Sequence, residues 1–198
     1  METIRNVLSA GRITHTRPAA KSPPPFDELA RILESNGFSK NIAGDDFPLA
    51  VKAVSDSMSK GMGILMTGAC GCGKTHLMRI LYGLTSGKKY WYDCPSNAAY
   101  LLNPKDKSTD WEETPFIDDL GTEILVEYGR RVDTVSEFIR VFHKEGFMKR
   151  GKRIFITTNL SSKELVELYD ERVVDRMLDM CVVLKFGGRS HRSREVVS

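Results

Sequence analysis

At 198 residues and 22.3 kDa, the chain is long enough for one well-buried domain with a short extension and too short for two ordinary ones. Its 41% apolar and 28% charged residues are the balance of a folded globular protein, which confines expected disorder to the ends. A formal charge of +3 allows contact with nucleic acid but is too small to argue for it, so local clusters must carry that case.

Residues 1 to 25 hold Arg5, Arg12, Arg17 and Lys21, followed by Pro23, Pro24 and Pro25, with little apolar patterning. They read as a flexible arm without the apolar core of a signal peptide. Phe26, Leu29, Ala30 and Leu33 then recur at helical spacing, and Asn36-Gly37 supplies a stop. This short amphipathic helix has an apolar stripe to bury, either on the chain's own core or in a groove on a partner. A second helix is expected from Leu49 to Met58, ended by Lys60-Gly61.

From Gly63 onward short β-type runs alternate with longer helical stretches, the order of a parallel sheet covered by helices. The expected strands are residues 63 to 68, 89 to 94, 116 to 119, 153 to 159 and 181 to 186, and the helices are 75 to 84, 134 to 147 and 162 to 180. No run reaches the roughly 18 apolar residues of a membrane span, so no membrane partner is expected and the cytoplasm is the default address. Cys70, Cys72, Cys94 and Cys181 form no C-x-x-C pair and read as reduced thiols.

The chemistry concentrates at GACGCGKT, where Gly68, Gly73, Lys74 and Thr75 match G-x-x-x-x-G-K-[ST] between an apolar strand and a helix. Such a loop curls so that its N–H groups meet phosphate oxygens at a helix N-terminus. Residues 68 to 76 (Gly68, Ala69, Cys70, Gly71, Cys72, Gly73, Lys74, Thr75 and His76) are therefore the expected ATP cradle. Lys74 reaches the β- and γ-phosphates and Thr75 coordinates Mg2+. Cys70 and Cys72 fill variable loop positions, and His76 reads as a packing or solvent-facing residue.

The metal also needs an acid at the end of a neighbouring strand. Phe116-Ile117-Asp118-Asp119 offers Asp118 for the metal, through water, and Asp119 to orient or deprotonate the attacking water. Thr158 and Asn159 end another strand, at the sheet edge where ligands bind, and Asn159 can address the γ-phosphate or the water. Asn159 can equally be the residue that turns the chain into the next helix.

With GACGCGKTHL, FIDDLG, ITTNLSS and ERVVDRM in that order, residues 45 to 190 resemble the AAA+ ATPases of the DnaC/DnaI helicase-loader and IstB transposition-helper group. The resemblance implies a three-layer α/β P-loop AAA+ core with a five-stranded parallel sheet, and its small helical lid domain is expected to be absent or reduced, since hardly any chain follows the last expected strand. It implies Asp118 and Asp119 as the strand-end acid pair and Asn159 as the first sensor. Arg176, with Arg172 as second choice, becomes the finger that reaches a neighbouring subunit's γ-phosphate, which calls for an ATP-dependent homo-oligomer. The bland reading of Arg172 and Arg176 is an exposed helix stripe paired with Asp175 and Asp179. Asp119 stands where a glutamate is common in AAA+ proteins, and the N-terminal region is shorter than the helicase-binding domain that loaders carry.

The expected organisation is residues 1 to 44 as arm and helix, 45 to 190 as ATPase domain, and 191 to 198 as basic tail. The expected partner is a replicative DNA helicase, with a transposase as the alternative. Basic residues gather at Arg140, His143, Lys144, Lys149, Arg150, Lys152 and Arg153, and again at Lys185, Arg189, His191, Arg192 and Arg194. These allow weak, sequence-independent binding to single-stranded DNA, with few aromatics near them to stack on bases. A small-molecule P-loop kinase is the rival from another class, and the paired strand-end aspartates, suited to water attack, argue against it.

Overall fold

A computed structural model describes residues 22–93, 113–122, 126–127, 130–131 and 134–187. The expected arm up to residue 21, Cys94, most of the segment from 97 to 114 and the basic tail lie outside the described residues.

The chain opens with α1 (Phe26–Ser35), a single turn α2 (Lys40–Ala43) capped by the Ser39 hydroxyl, and a 3-10 turn (Gly44–Asp46) leading into α3 (Phe47–Lys60). Pro48 sits in the first turn of α3, where a missing N–H costs nothing, and Gly61 ends the helix in the left-handed region. Next come β1 (Gly63–Thr67), α4 (Lys74–Leu84), β2 (Lys89–Asp93), β3 (Thr114–Leu120) and a small hairpin of β4 (Val126–Glu127) with β5 (Arg130–Arg131). The remainder is α5 (Thr134–Phe142), a π-helical turn (His143–Met148), β6 (Phe155–Thr158), α6 (Ser162–Tyr169), α7 (Glu171–Met180) and β7 (Cys181–Lys185).

Five strands form one parallel sheet in the order β2-β3-β6-β1-β7. Parallel sheets are buried on both faces, and here the alternation along β1 divides the core. Ile64 and Met66 point into a cluster with α1, α3 and α4, while Leu65 points into a cluster with α5, α6 and α7. Three layers result, with every strand's C-terminal end on the same edge. Of the two fates open to the stripe on α1, Leu29 and Leu33 are buried in the same core as Leu77 and Met78 of α4, whereas Phe26 is 48% exposed.

Three local expectations change. The helix expected over 162 to 180 is two helices, because Asp170 adopts φ +65° and turns its carboxylate onto the first free amides of α7, Arg172 N at 2.7 Å and Val173 N at 3.2 Å. That N-cap is invisible to apolar periodicity, which runs on through both helices. Past Phe142 the helix expected to Phe147 winds as a π-turn. β3 starts earlier than expected, at Thr114, and tolerates Pro115 as its second residue.

Candidate functional site

The loop from 68 to 73 leaves β1 at the C-terminal edge of the sheet, between β6 and β7, where the winding of the crossovers opens a crevice. Its glycines are used for their geometry. Gly68 has φ +141° and lies so close to β7's end that a Cβ would stand 2.6 Å from the Phe186 carbonyl oxygen; Gly73, at φ +103°, caps α4. Phe38 and Ile42 pack on Gly73 from the N-terminal segment, and Asp46 receives the Gly187 amide at 2.9 Å, which pins the end of β7 beside the loop.

Lys74 opens α4 with its side chain folded under the loop, 4% exposed. Its ammonium donates to Gly68 O at 2.8 Å, Ala69 O at 2.7 Å and Asn159 Oδ1 at 2.8 Å, which uses all three protons. The Cys72 thiol lies 3.6 Å from it and is buried, whereas Cys70 is exposed at the mouth. One residue on, the Thr75 hydroxyl donates to Asp118 Oδ1 at 3.0 Å. His76 places Nε2 3.0 Å from Gly37 O and stacks on Phe38, so it ties α4 to the N-terminal segment as a packing residue.

Asp118 and Asp119 end β3 side by side. Asp118 is 7% exposed. Asp119 takes φ +54°, a conformation that costs a non-glycine residue about 1–3 kcal/mol and persists only where neighbours hold it. Those neighbours are Thr157, whose Oγ1 accepts the Asp119 amide at 2.9 Å, and Thr122, whose hydroxyl donates to Asp119 O at 2.6 Å. Asn159 donates from Nδ2 to Asp119 Oδ1 at 3.4 Å, so one amide side chain bridges the ammonium of Lys74 and the second acid. Thr158 donates to Leu120 O at 2.7 Å and accepts the Leu160 amide, which closes the β6 end onto β3.

A pocket of about 310 Å³, the lower range for small-molecule sites, is lined by Cys70, Gly71, Gly73, Lys74, Thr75, His76, Asp119 and Asn159 together with Ile42 and Arg79. Sequence reasoning missed Ile42, Arg79 and Thr157. Arg79 stands four residues after Thr75 on the same helix, so helical spacing could have found it. Ile42 reaches the pocket by tertiary packing alone.

Arg172 and Arg176 do not line this pocket. They lie on the outer side of α7, where Arg176 Nη1 donates to Arg172 O at 3.0 Å. Asp179, the expected partner of that stripe, pairs with His143 Nε2 at 2.8 Å instead. Asp170, at the head of α7, pairs with Arg140 at 3.2 Å. Burial pushes the Asp170 carboxyl up, but the Val173 and Arg172 amides and the Arg140 guanidinium together hold it below the usual carboxylate range.

The donor set fits a nucleoside triphosphate with a divalent cation. Left-handed glycines open the loop, the ammonium is held under it, and a hydroxyl meets a buried carboxylate at 3.0 Å, the pair of oxygens that hard cations prefer.

No protein-family model matches the chain, and no curated protein does. Among solved structures, the crystal structure of the DnaC helicase loader is 25% identical, covering 64% of this chain and 78% of its own, with a TM-score of 0.49. The crystal structure of a DNA replication initiation factor is 18% identical, covering 72% of this chain and 46% of its own, with a TM-score of 0.54. The second likeness, with the strand order β2-β3-β6-β1-β7 and the glycine loop after β1, shows the fold: a three-layer α/β core around a five-stranded parallel sheet.

Proposed function

We propose that the chain is a magnesium-dependent ATPase acting as a helicase loader in DNA replication. The observation that carries the ATPase reading is the convergence, on one pocket, of groups from three strand ends: Lys74 after β1, Asp119 on β3 and Asn159 after β6, with Asp118 bonded to Thr75 of the same pocket. Bound ATP with Mg2+ would supply the electrophilic phosphorus and the cation that neutralises its oxygens.

The chain's own residues then divide the work. Lys74 holds the phosphates and exchanges its loop carbonyl partners for phosphate oxygens. Thr75 and Asp118 hold the cation. Asp119 orients the water, and Asn159 ties that acid to the phosphate-binding ammonium. Arg176, or Arg172, does not line its own pocket, as suits a finger delivered to the neighbouring subunit of an ATP-dependent oligomer. The loader reading rests on the motif series resembling DnaC/DnaI and IstB proteins, with a replicative helicase as partner and single-stranded DNA as a weak ligand.

Phosphate release measured with magnesium and ATP, with and without single-stranded DNA, tests the enzyme; co-purification with the replicative helicase in ATP tests the partner. Absence of both nucleotide binding and phosphate release would sink the ATPase reading. Capture of a transposase in place of the helicase would replace the loader by a transposition helper.

A further inference from the structure

β3 and β6 run out of step at the site. Ile117 pairs with Ile156 and Leu120 with Thr158, so β3 spends three residues where β6 spends two. The surplus is taken up at Asp118 and Asp119, and at Asp119 the backbone turns left-handed. Such a bulge re-aims side chains, and here it brings two consecutive acids to the same edge, where the strict alternation of a strand would send them to opposite faces.

Opposite the bulge stands Thr157, fully buried in β6. Its hydroxyl donates to Asp118 Oδ1 at 2.6 Å and accepts the Asp119 amide at 2.9 Å. A valine would fill the same space and suits a buried strand, whereas a buried hydroxyl is costly unless it is hydrogen-bonded. This hydroxyl is bonded in both senses, to the two acids and to nothing else described.

We infer that Thr157 is a positioning residue for both acids, an assignment that rests on the magnesium and ATP reading above. Asp118 Oδ1 accepts from two hydroxyls, Thr75 at 3.0 Å and Thr157 at 2.6 Å. Thr75 is the one that turns to a cation, so Thr157 keeps the carboxylate aimed when Thr75 leaves it. Thr157 Oγ1 also accepts the Asp119 amide and so sets the direction of the water-orienting acid. Hydrogen-bond partners of this kind around a metal site are worth about 10–100-fold in metal affinity or activity.

The test is a magnesium titration of the binding of a fluorescent ATP analogue, with phosphate release measured alongside, on the parent, Thr157→Val and Thr157→Ser. Thr157→Val should raise the half-saturating magnesium concentration and lower kcat, together by about 10–100-fold, and leave both KM for ATP and analogue binding in EDTA unchanged. Thr157→Ser, which keeps the hydroxyl and loses a methyl, should restore the parent's magnesium dependence. Equal magnesium dependence in the parent and Thr157→Val would overturn the assignment, as would a Thr157→Ser protein as impaired as Thr157→Val. Should Thr157→Val not fold, Thr157→Cys, with a weak donor of similar size, is held to the same criteria. A parent that binds no nucleotide with magnesium overturns the underlying reading and this one with it; a normal parent beside a normal valine variant overturns this one alone.

Discussion

Leu33→Ala asks whether the N-terminal helix is part of the ATPase core or an appendage free to enter a partner's groove. Leu33 is 0% exposed and packs in the cluster that contains Phe38, Leu77 and Met78, so truncation removes three buried carbons and leaves a cavity beneath the phosphate-loop helix. Such replacements cost about 2–5 kcal/mol, a large part of the roughly 5–15 kcal/mol that holds a domain together. With an m-value of about 3 kcal/mol/M in urea, a 3 kcal/mol loss moves the midpoint down by about 1 M. Phe26→Ala, on the same stripe but half exposed, should stay within about 1 kcal/mol of the parent. Urea unfolding followed by far-UV circular dichroism measures both. A Leu33→Ala midpoint no lower than that of Phe26→Ala would refute the argument, since it would mean that α1 contributes nothing to the cooperative unit. With Leu29 and Leu33 buried in the core, Phe26 is the part of the stripe left exposed to a partner, and deletion through residue 40 should unfold the core.

Lys74→Ala should abolish ATP binding, whereas Asp119→Asn should bind ATP and stop turnover; equilibrium binding and phosphate release separate the two, and parent-rate hydrolysis by Asp119→Asn would remove that acid from its role. ATP should promote self-association, and mixing Arg176→Ala with Lys74→Ala protein should restore part of the activity, because one supplies an intact pocket and the other an intact arginine; no rescue at any ratio counts against a shared site. Asp170→Asn should lower the unfolding midpoint at neutral pH. A carboxyl held below its unfolded value of about 3.9 contributes stability above that pH and loses it as pH falls through the folded value, so the gap between parent and variant should close below about pH 4. A gap that persists unchanged at pH 3 would show that the carboxylate charge is not what caps α7.

The sequence by itself determined the parts that rest on local pattern. Glycine spacing after an apolar strand marks the phosphate loop because only a curled backbone at a helix N-terminus presents successive amides. Parallel strands read as apolar runs because both faces of the sheet are covered, which is why all five were found within a few residues of their observed bounds. That Asp118, Asp119 and Asn159 stand together beside Lys74 and Thr75 was legible because the ends of parallel strands share one edge of the sheet. Apolar periodicity, however, says nothing of a polar residue's backbone angle, so the break at Asp170 and the left-handed turn at Asp119 were not visible. Only the tertiary structure decided what covers the stripe on α1, since an amphipathic face specifies burial without naming the surface that buries it. It also decided what Thr157 does, because a threonine in a buried run looks like any β-branched strand residue until the neighbouring strand slips by one position and sets the Asp118 carboxylate and the Asp119 amide against its hydroxyl.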